Sequence, residues 1–163
     1  MAGSSETAEQ FGEAIAIRIA RREDVPAIVA LFAADVLGGH GDTTDPDALA
    51  DYLAAFDRIS ASPQDRLYVA ELDGEMVGTF QTTLMVSMSG RGAASLNVEA
   101  VQTRADMRGR GIGEAMIRFA IAKALEAGAT KVQLTSNLVR TDAHRFYRRL
   151  GFAQSHAGFK MKL

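Results

Sequence analysis

The dipeptide Asp73-Gly74 stands between two runs rich in apolar and β-branched residues, Leu67–Leu72 and Met76–Ser87. An Asp-Gly pair in that setting accepts the positive φ angles of a two-residue hairpin turn, which commits the two runs to an antiparallel pair. A second turn, Ser89-Gly-Arg-Gly92, leads into a third run from Ala93 to about Gln102. The middle of the chain is therefore an antiparallel meander, and a purely parallel sheet is set aside from the start.

The pattern changes on both sides of the meander. Ahead of it, Ile15–Ala20 alternates apolar and basic residues as a strand does. Asp24 and Pro26 read as the N-cap and first turn of a helix carrying Val25, Ile28, Leu31 and Phe32. Leu37–Asp42 breaks that helix, and Asp45-Pro46 opens another, lined by Leu49, Leu53 and Phe56. After the meander, Ile112, Met116, Phe119, Ala120 and Ala124 recur at helical spacing until Gly128. A strand over Lys131–Ser136, a helix over Thr141–Leu150 and one or two strands in Phe152–Leu163 complete the order. The expected fold class is α/β (α+β), with one mixed, mostly antiparallel sheet flanked by helices.

At 163 residues the chain fits one domain, expected over 15–163 behind a loose tail at 1–14. No apolar run reaches the roughly 20 residues of a membrane span, and the first residues lack the pattern of a secretion signal. The absence of cysteine excludes disulfides, thiolate metal sites and a cysteine nucleophile, and fits a cytoplasmic location. His40, His144 and His156 form no metal pattern, so no metal is expected. A net charge of −2 argues against general nucleic-acid binding. The arginines are nevertheless clustered, with Arg104, Arg108, Arg110 and Arg118 in one group and Arg140, Arg145, Arg148 and Arg149 in another. These are either part of an anion site or solvated helix faces.

The segment Arg108-Gly109-Arg110-Gly111-Ile112-Gly113 follows a strand and opens a helix. The first N–H groups of a helix lack internal partners, and its dipole is positive at that end. Glycines let a backbone approach an anion closely, so a phosphate or pyrophosphate is the natural guest. The Gly-Lys-Ser/Thr of a nucleoside-triphosphate loop is missing. Glu114 stands where a dinucleotide fingerprint needs its third glycine.

Arg108-x-x-Gly111-x-Gly113 resembles the coenzyme-A pyrophosphate loop of the GNAT N-acetyltransferase superfamily. Downstream, Leu134-Thr-Ser-Asn137 and Ala143-His-Arg-Phe-Tyr-Arg-Arg-Leu-Gly-Phe152 resemble its second signature, an asparagine followed by a Phe-Tyr-x-x-Leu-Gly-Phe helix end. The resemblance implies that two adjacent parallel strands, here Ala93–Gln102 and Lys131–Ser136, splay apart. The pantetheine arm of acetyl-coenzyme A would lie in the gap along the strand edge, with Val101 and Thr103 among its partners. It implies direct transfer of acetyl to a primary amine of a small molecule or peptide. The alternative on the same fold is a non-catalytic coenzyme-A-binding sensor. A homodimer fits the resemblance, and no membrane partner is implied.

Glu99 is the expected base. Strict alternation places Ser95, Asn97, Glu99 and Val101 on one face of the strand, a polar surface that a substrate cleft would explain. A carboxylate paired with an arginine is the plainer alternative, and a bulge would shift the alternation. By resemblance, Tyr147 would protonate the coenzyme thiolate, although a helical tyrosine is more often a core residue. Asn137 would contact the pantetheine or serve only as a turn residue. His144 reads as exposed, and His40 falls in the loop where such proteins build their acceptor site.

Overall fold

The computed structural model describes residues 9–10, 15–37 and 40–163. Its strands are β1 (Glu9–Gln10), β2 (Ile15–Ile19), β3 (Asp65–Leu72), β4 (Glu75–Val86), β5 (Ala94–Thr103) and β6 (Lys131–Gln133). Its helices are α1 (Val25–Ala33), α2 (Leu49–Ala61), the single turn α3 (Ser89–Gly92), α4 (Ile112–Glu126) and α5 (Thr141–Arg149). The six strands form one sheet in chain order, antiparallel everywhere except between β5 and β6. Of the expected tail, only Glu9 and Gln10 fall among the described residues, and they pair with Ile17 and Ala16.

The turn chemistry does what the sequence demands. Asp73 and Gly74 take φ values of 52° and 79°, and Leu72 pairs directly with Glu75 across them. Asp45 caps the turn before α2 by accepting the Asp47 N–H at 2.9 Å. One face of the sheet packs on α4, whose Ile112, Met116, Phe119 and Ala120 join Tyr68, Phe80, Leu96 and Val98. Tyr68 stacks on Phe80 at 5.0 Å, and Phe119 meets both rings edge-on. The opposite face packs on α1 and α2 through Val25, Ile28, Val29 and Phe56 around Val69.

Two helices end in the same way. At α4 the Gly128 N–H reaches Leu125 O and the Ala129 N–H reaches Ala124 O, at 3.0 and 2.9 Å. At α5 the Gly151 N–H reaches Arg148 O and the Phe152 N–H reaches Tyr147 O, at 3.0 and 3.1 Å. Both are Schellman caps, which need a left-handed residue where each glycine stands. Such caps often bring the residue after the glycine onto the last helical turn, and here the Phe152 and Tyr147 rings lie 5.8 Å apart. The Leu-Gly-Phe helix end thus has a structural reason, which is to stop α5 and cover Tyr147.

Three expectations are corrected. Asp24 does not cap α1 with its side chain. Its carboxylate takes both Arg18 guanidinium nitrogens at 2.7 and 2.9 Å and the Arg21 N–H at 2.6 Å, while Arg18 also holds Glu71 at 2.6 Å. The strand expected over Lys131–Ser136 pairs only as far as Gln133, because the chain then turns away from β5. Phe152–Leu163 forms no strand. Phe152 is spent on the cap, and Phe159, Met161 and Leu163 stand exposed with no surface to cover them.

The Arg18 cluster carries a stability prediction. Burial raises the Asp24 pKa, but Arg18 and the Arg21 N–H outweigh it and hold the carboxyl below its ordinary value. A depressed carboxyl contributes stability above the unfolded pKa of about 3.9 and loses it as pH falls through the lower folded value. Arg18→Met strands one buried and one half-buried carboxylate and should cost about 3 kcal/mol at pH 7. Urea melts at pH 7 and pH 3 check this. The gap between wild type and variant should shrink at the lower pH, and an equal gap at both would show that the ion pairs do not supply it.

Candidate active site

The site is built where β5 is irregular. Gln81 pairs with Glu99 and Thr79 with Gln102, so Ala100 and Val101 together oppose the single residue Phe80. Ala100 takes φ 51°, a left-handed conformation uncommon for a residue with a side chain. This is a β-bulge, and Phe80, wholly buried, anchors it from β4. The strict alternation read from sequence therefore fails beyond Glu99. Val101, expected beside Glu99, packs into the α4-side core with Leu96 and Val98. Gln102, the next residue, reaches Asp35 beyond the end of α1 on the other side of the sheet, at 2.7 Å.

β5 also parts from β6. Their parallel ladder consists of Ser95–Lys131, Leu96–Val132 and Asn97–Gln133 and then stops, although β5 continues to Thr103. The β5 edge from Val98 to Thr103, which includes Val101 and Thr103, faces this opening without a strand partner among the described residues. An unpaired edge of that kind offers main-chain donors and acceptors to an extended ligand.

Directly after β5 comes the glycine-rich loop. Met107 and Ile112 are buried at its two ends and fix it to the core. Between them Gly109 and Gly111 take φ 76° and 82°, and a Cβ at either would meet nothing within 4 Å. Gly111 occupies the N-cap of α4 and has no side chain to cap it, so the first-turn N–H groups from Ile112 onward have no capping partner. The third glycine has a different reason. Gly113 has an ordinary φ, but a Cβ there would lie 3.3 Å from Phe146 Cζ and 3.9 Å from Thr103 Oγ1. It lets α5 pack against the start of α4, which the sequence reading did not foresee.

The arginine clusters divide. Arg104 is held by Glu75 and Asp106, and Arg118 by Glu114. Arg110 donates to Met107 Sδ at 3.2 Å and lies near enough to Asp106 to be felt by it, and neither Arg110 nor Arg108 has a direct ion-pair partner among the described residues. In the second cluster Arg140 binds Asp35, Arg145 binds Asp142, Arg148 binds Gln154, and Arg149 lies over the Phe146 ring. The cations left for an anion are those of the loop itself.

Glu99 is exposed on β5 at the last position before the bulge, and its Oε1 accepts from Asn97 Nδ2 at 2.7 Å. The arginine partner of the plainer alternative is not found for it among the described residues. Tyr147 is half-buried between Phe146 and Phe152, and no described residue hydrogen-bonds its hydroxyl. Burial pushes the phenol above its ordinary value, with Arg140 pulling weakly the other way, so it is protonated at neutral pH. Asn137 is exposed and uses its side-chain oxygen to accept the Val139 N–H at 3.1 Å, a turn contact that leaves its amide donors available. His144, expected to be exposed, is half-buried with Nε2 2.9 Å from Asn137 O, and His40 is exposed. Among the described residues no three His, Asp or Glu side chains gather as a metal site, and no helix is long and apolar enough to cross a membrane.

Sequence reasoning missed Asp35. Its side chain is only 7% exposed and accepts from Gln102 on β5 and from Arg140 at the N-cap of α5. Burial raises its pKa, but the bonds from Arg140 and Gln102 outweigh this and keep it ionised. A lone aspartate after a helix carries no signal for such a role. Only the bulge, which turns Gln102 to that side, creates it.

This geometry has relatives. The model of the acetyltransferase (GNAT) family matches residues 25–152. The aminoalkylphosphonate N-acetyltransferase of Salmonella typhimurium is 30% identical over 161 residues, covering 90% of this chain and 99% of its own. A crystal structure described as a transcriptional regulator from Bacillus halodurans superposes with a TM-score of 0.88 at 36% identity, covering 91% of this chain and 99% of its own. A Trypanosoma brucei acetyltransferase shares the fold, with a TM-score of 0.74 at 21% identity over 91% and 99% of the two chains. On these matches the chain belongs to the acetyltransferase (GNAT) family, as an acyltransferase acting on amines.

Proposed function

We propose that the protein moves the acetyl group of acetyl-coenzyme A directly onto the primary amine of a small molecule. The carrying observation is the continuous run from an unpaired strand edge, Val98–Thr103, into an uncapped helix start at Gly111. In this reading the N–H groups of Ile112 and Gly113, the backbone of Gly109 and Gly111, and the side chains of Arg108 and Arg110 take the pyrophosphate. The β5 edge, with Val101 and Thr103, and the free amide donors of Asn137 hold the pantetheine. The thioester supplies an already activated acyl group, so the chain has three tasks: to position, to take up a proton and to give one back. Glu99, its carboxylate oriented by Asn97, takes the proton of the incoming ammonium. The new C–N bond forms as the C–S bond breaks, and the second proton that the nitrogen sheds on becoming an amide makes up the one that the Tyr147 hydroxyl gives to the departing sulfur, so the phenol ends as it began.

Tyr147→Phe tests the last step. The ring and its contacts with Phe146 and Phe152 are kept and one hydroxyl is removed, so the melting temperature and coenzyme affinity should hold. The chemical step should slow about tenfold, the cost of one hydrogen bond to a charged partner. Unchanged single-turnover rates would make Tyr147 a packing residue only.

The acceptor is sought by following free thiol with acetyl-coenzyme A and a panel of primary amines. Aminoalkylphosphonates form its first arm, because the Salmonella relative is named for them. Polyamines and peptide amino termini form the others. Amine-dependent thiol release supports the reading. Tight coenzyme binding with no release against any amine would overturn it in favour of a coenzyme-binding regulatory module.

A further inference from the structure

Asp35 bridges the two walls of the opening between β5 and β6. Gln102 lies on β5, five positions beyond the last paired residue, Asn97, and Arg140 lies seven beyond Gln133 on the other wall. Both donate to the same carboxylate oxygen, Oδ2 of Asp35. Asp35 comes from the end of α1, the helix on the face opposite α4. The bridge therefore closes the opening from the side on which the chain builds its α1–α2 loop. The mostly buried, ionised carboxylate holds two donors at hydrogen-bond distance, so the spacing of the walls at this point is set by two short polar contacts and not by a β-ladder. Among the described residues no ladder pair holds the two walls together past Asn97, so apart from side-chain packing on the α4 side this bridge is the polar tie between them.

We infer that Asp35 is a positioning residue that fixes the width of the cleft between Gln102 and Arg140 and thereby limits the length of the acyl group the enzyme transfers. The inference rests on the acyl-coenzyme A reading above. An acetyl group ends after one methyl, whereas each further methylene must be placed against the bridge or beyond it. A cleft held at fixed width rejects the longer donor on steric grounds. A cleft whose bridge is cut can part by the small distance a methylene needs. Gln102 and Arg140 act only through Asp35 in this account, and none of the three is required to touch the amine.

The test compares acetyl-, propionyl- and butyryl-coenzyme A as donors for wild type, Asp35→Ala and Gln102→Ala, with the best amine from the acceptor panel. Coenzyme A affinity is measured by calorimetry and folding by a thermal melt. In wild type, kcat/KM should fall with each added methylene. In Asp35→Ala the butyryl-to-acetyl ratio of kcat/KM should rise roughly tenfold, the discrimination that one methylene carries in an enzyme pocket. Gln102→Ala should move the same ratio in the same direction by less, and it decides the matter if Asp35→Ala does not fold. Asp35→Glu, which can keep both bonds, should restore part of the selectivity. Folded variants that lose activity in parallel with all three donors, or that keep the wild-type ratio, would overturn the inference and make the bridge structural. A wild type that binds coenzyme A but releases no thiol from any donor would instead be the failure of the catalytic reading.

Discussion

Gly111→Val should lower coenzyme A affinity at least about 100-fold in a protein that still folds. The N-cap glycine sits at φ 82°, in the left-handed region, where a β-branched residue is strained. A Cβ at the position would meet nothing within 4 Å. The damage is to the backbone. To escape the strain the chain must leave the left-handed well, and the N–H groups at the start of α4 turn away from the point where a pyrophosphate would lie. Each hydrogen bond to a charged group is worth about 1.5–3 kcal/mol, so losing two accounts for the expected drop. The fold survives because Met107 and Ile112 anchor the loop on either side and α4 buries its own face. Calorimetric titration with coenzyme A is the measurement. Unchanged affinity in a folded Gly111→Val protein would remove the loop from the binding site. Gly113→Val is a poorer probe, since its side chain would strike Phe146 and disturb α5 before any ligand arrived.

Glu99→Gln should cut turnover by roughly 10²–10⁴-fold while coenzyme affinity stays within about twofold, because positioned proton transfer carries that much of a rate. Glutamine keeps the length and shape of the side chain and can still meet Asn97. It lacks the basic oxygen. The residue lies on an exposed surface and its one recorded partner is a neutral amide, so the loss falls on chemistry and not on a structural ion pair. The deficit should narrow with acceptors of low amine pKa, which arrive already deprotonated. Equal rates for variant and wild type with a high-pKa amine, under conditions where chemistry limits, would assign the base to another group.

Much of this was readable without coordinates, for local reasons. Asp73-Gly74, Asp45-Pro46, Gly128 and Gly151 each require a particular backbone at one spot, and each is found there. The glycine-rich turn at Arg108–Gly113 was legible because a tight entry into a helix is itself a local object. What the sequence hid is non-local. The left-handed Ala100 has no glycine to announce it, yet it reverses the faces of Val101 and Gln102 and so brings Asp35 to the cleft. Asp24 has the residue type of a cap, but Arg18, six residues away, claims its carboxylate. Gly113 looks like part of the phosphate loop, and only the packing of α5 shows that it also makes room for Phe146.

The strand order of the sheet is also the order of the chain, and although β2–β3 spans α1 and α2, the seams β1–β2, β3–β4 and β4–β5 join segments only a few residues apart. Seams of that kind close early in folding, because little loop entropy opposes them. The parallel seam between β5 and β6 needs α4 to return the chain, and it is sewn with three residue pairs. That short parallel joint is the one beside which, in the proposed function, the donor would lie. In that reading a ligand threaded along the seam would take the place of a strand, and loading would complete the sheet.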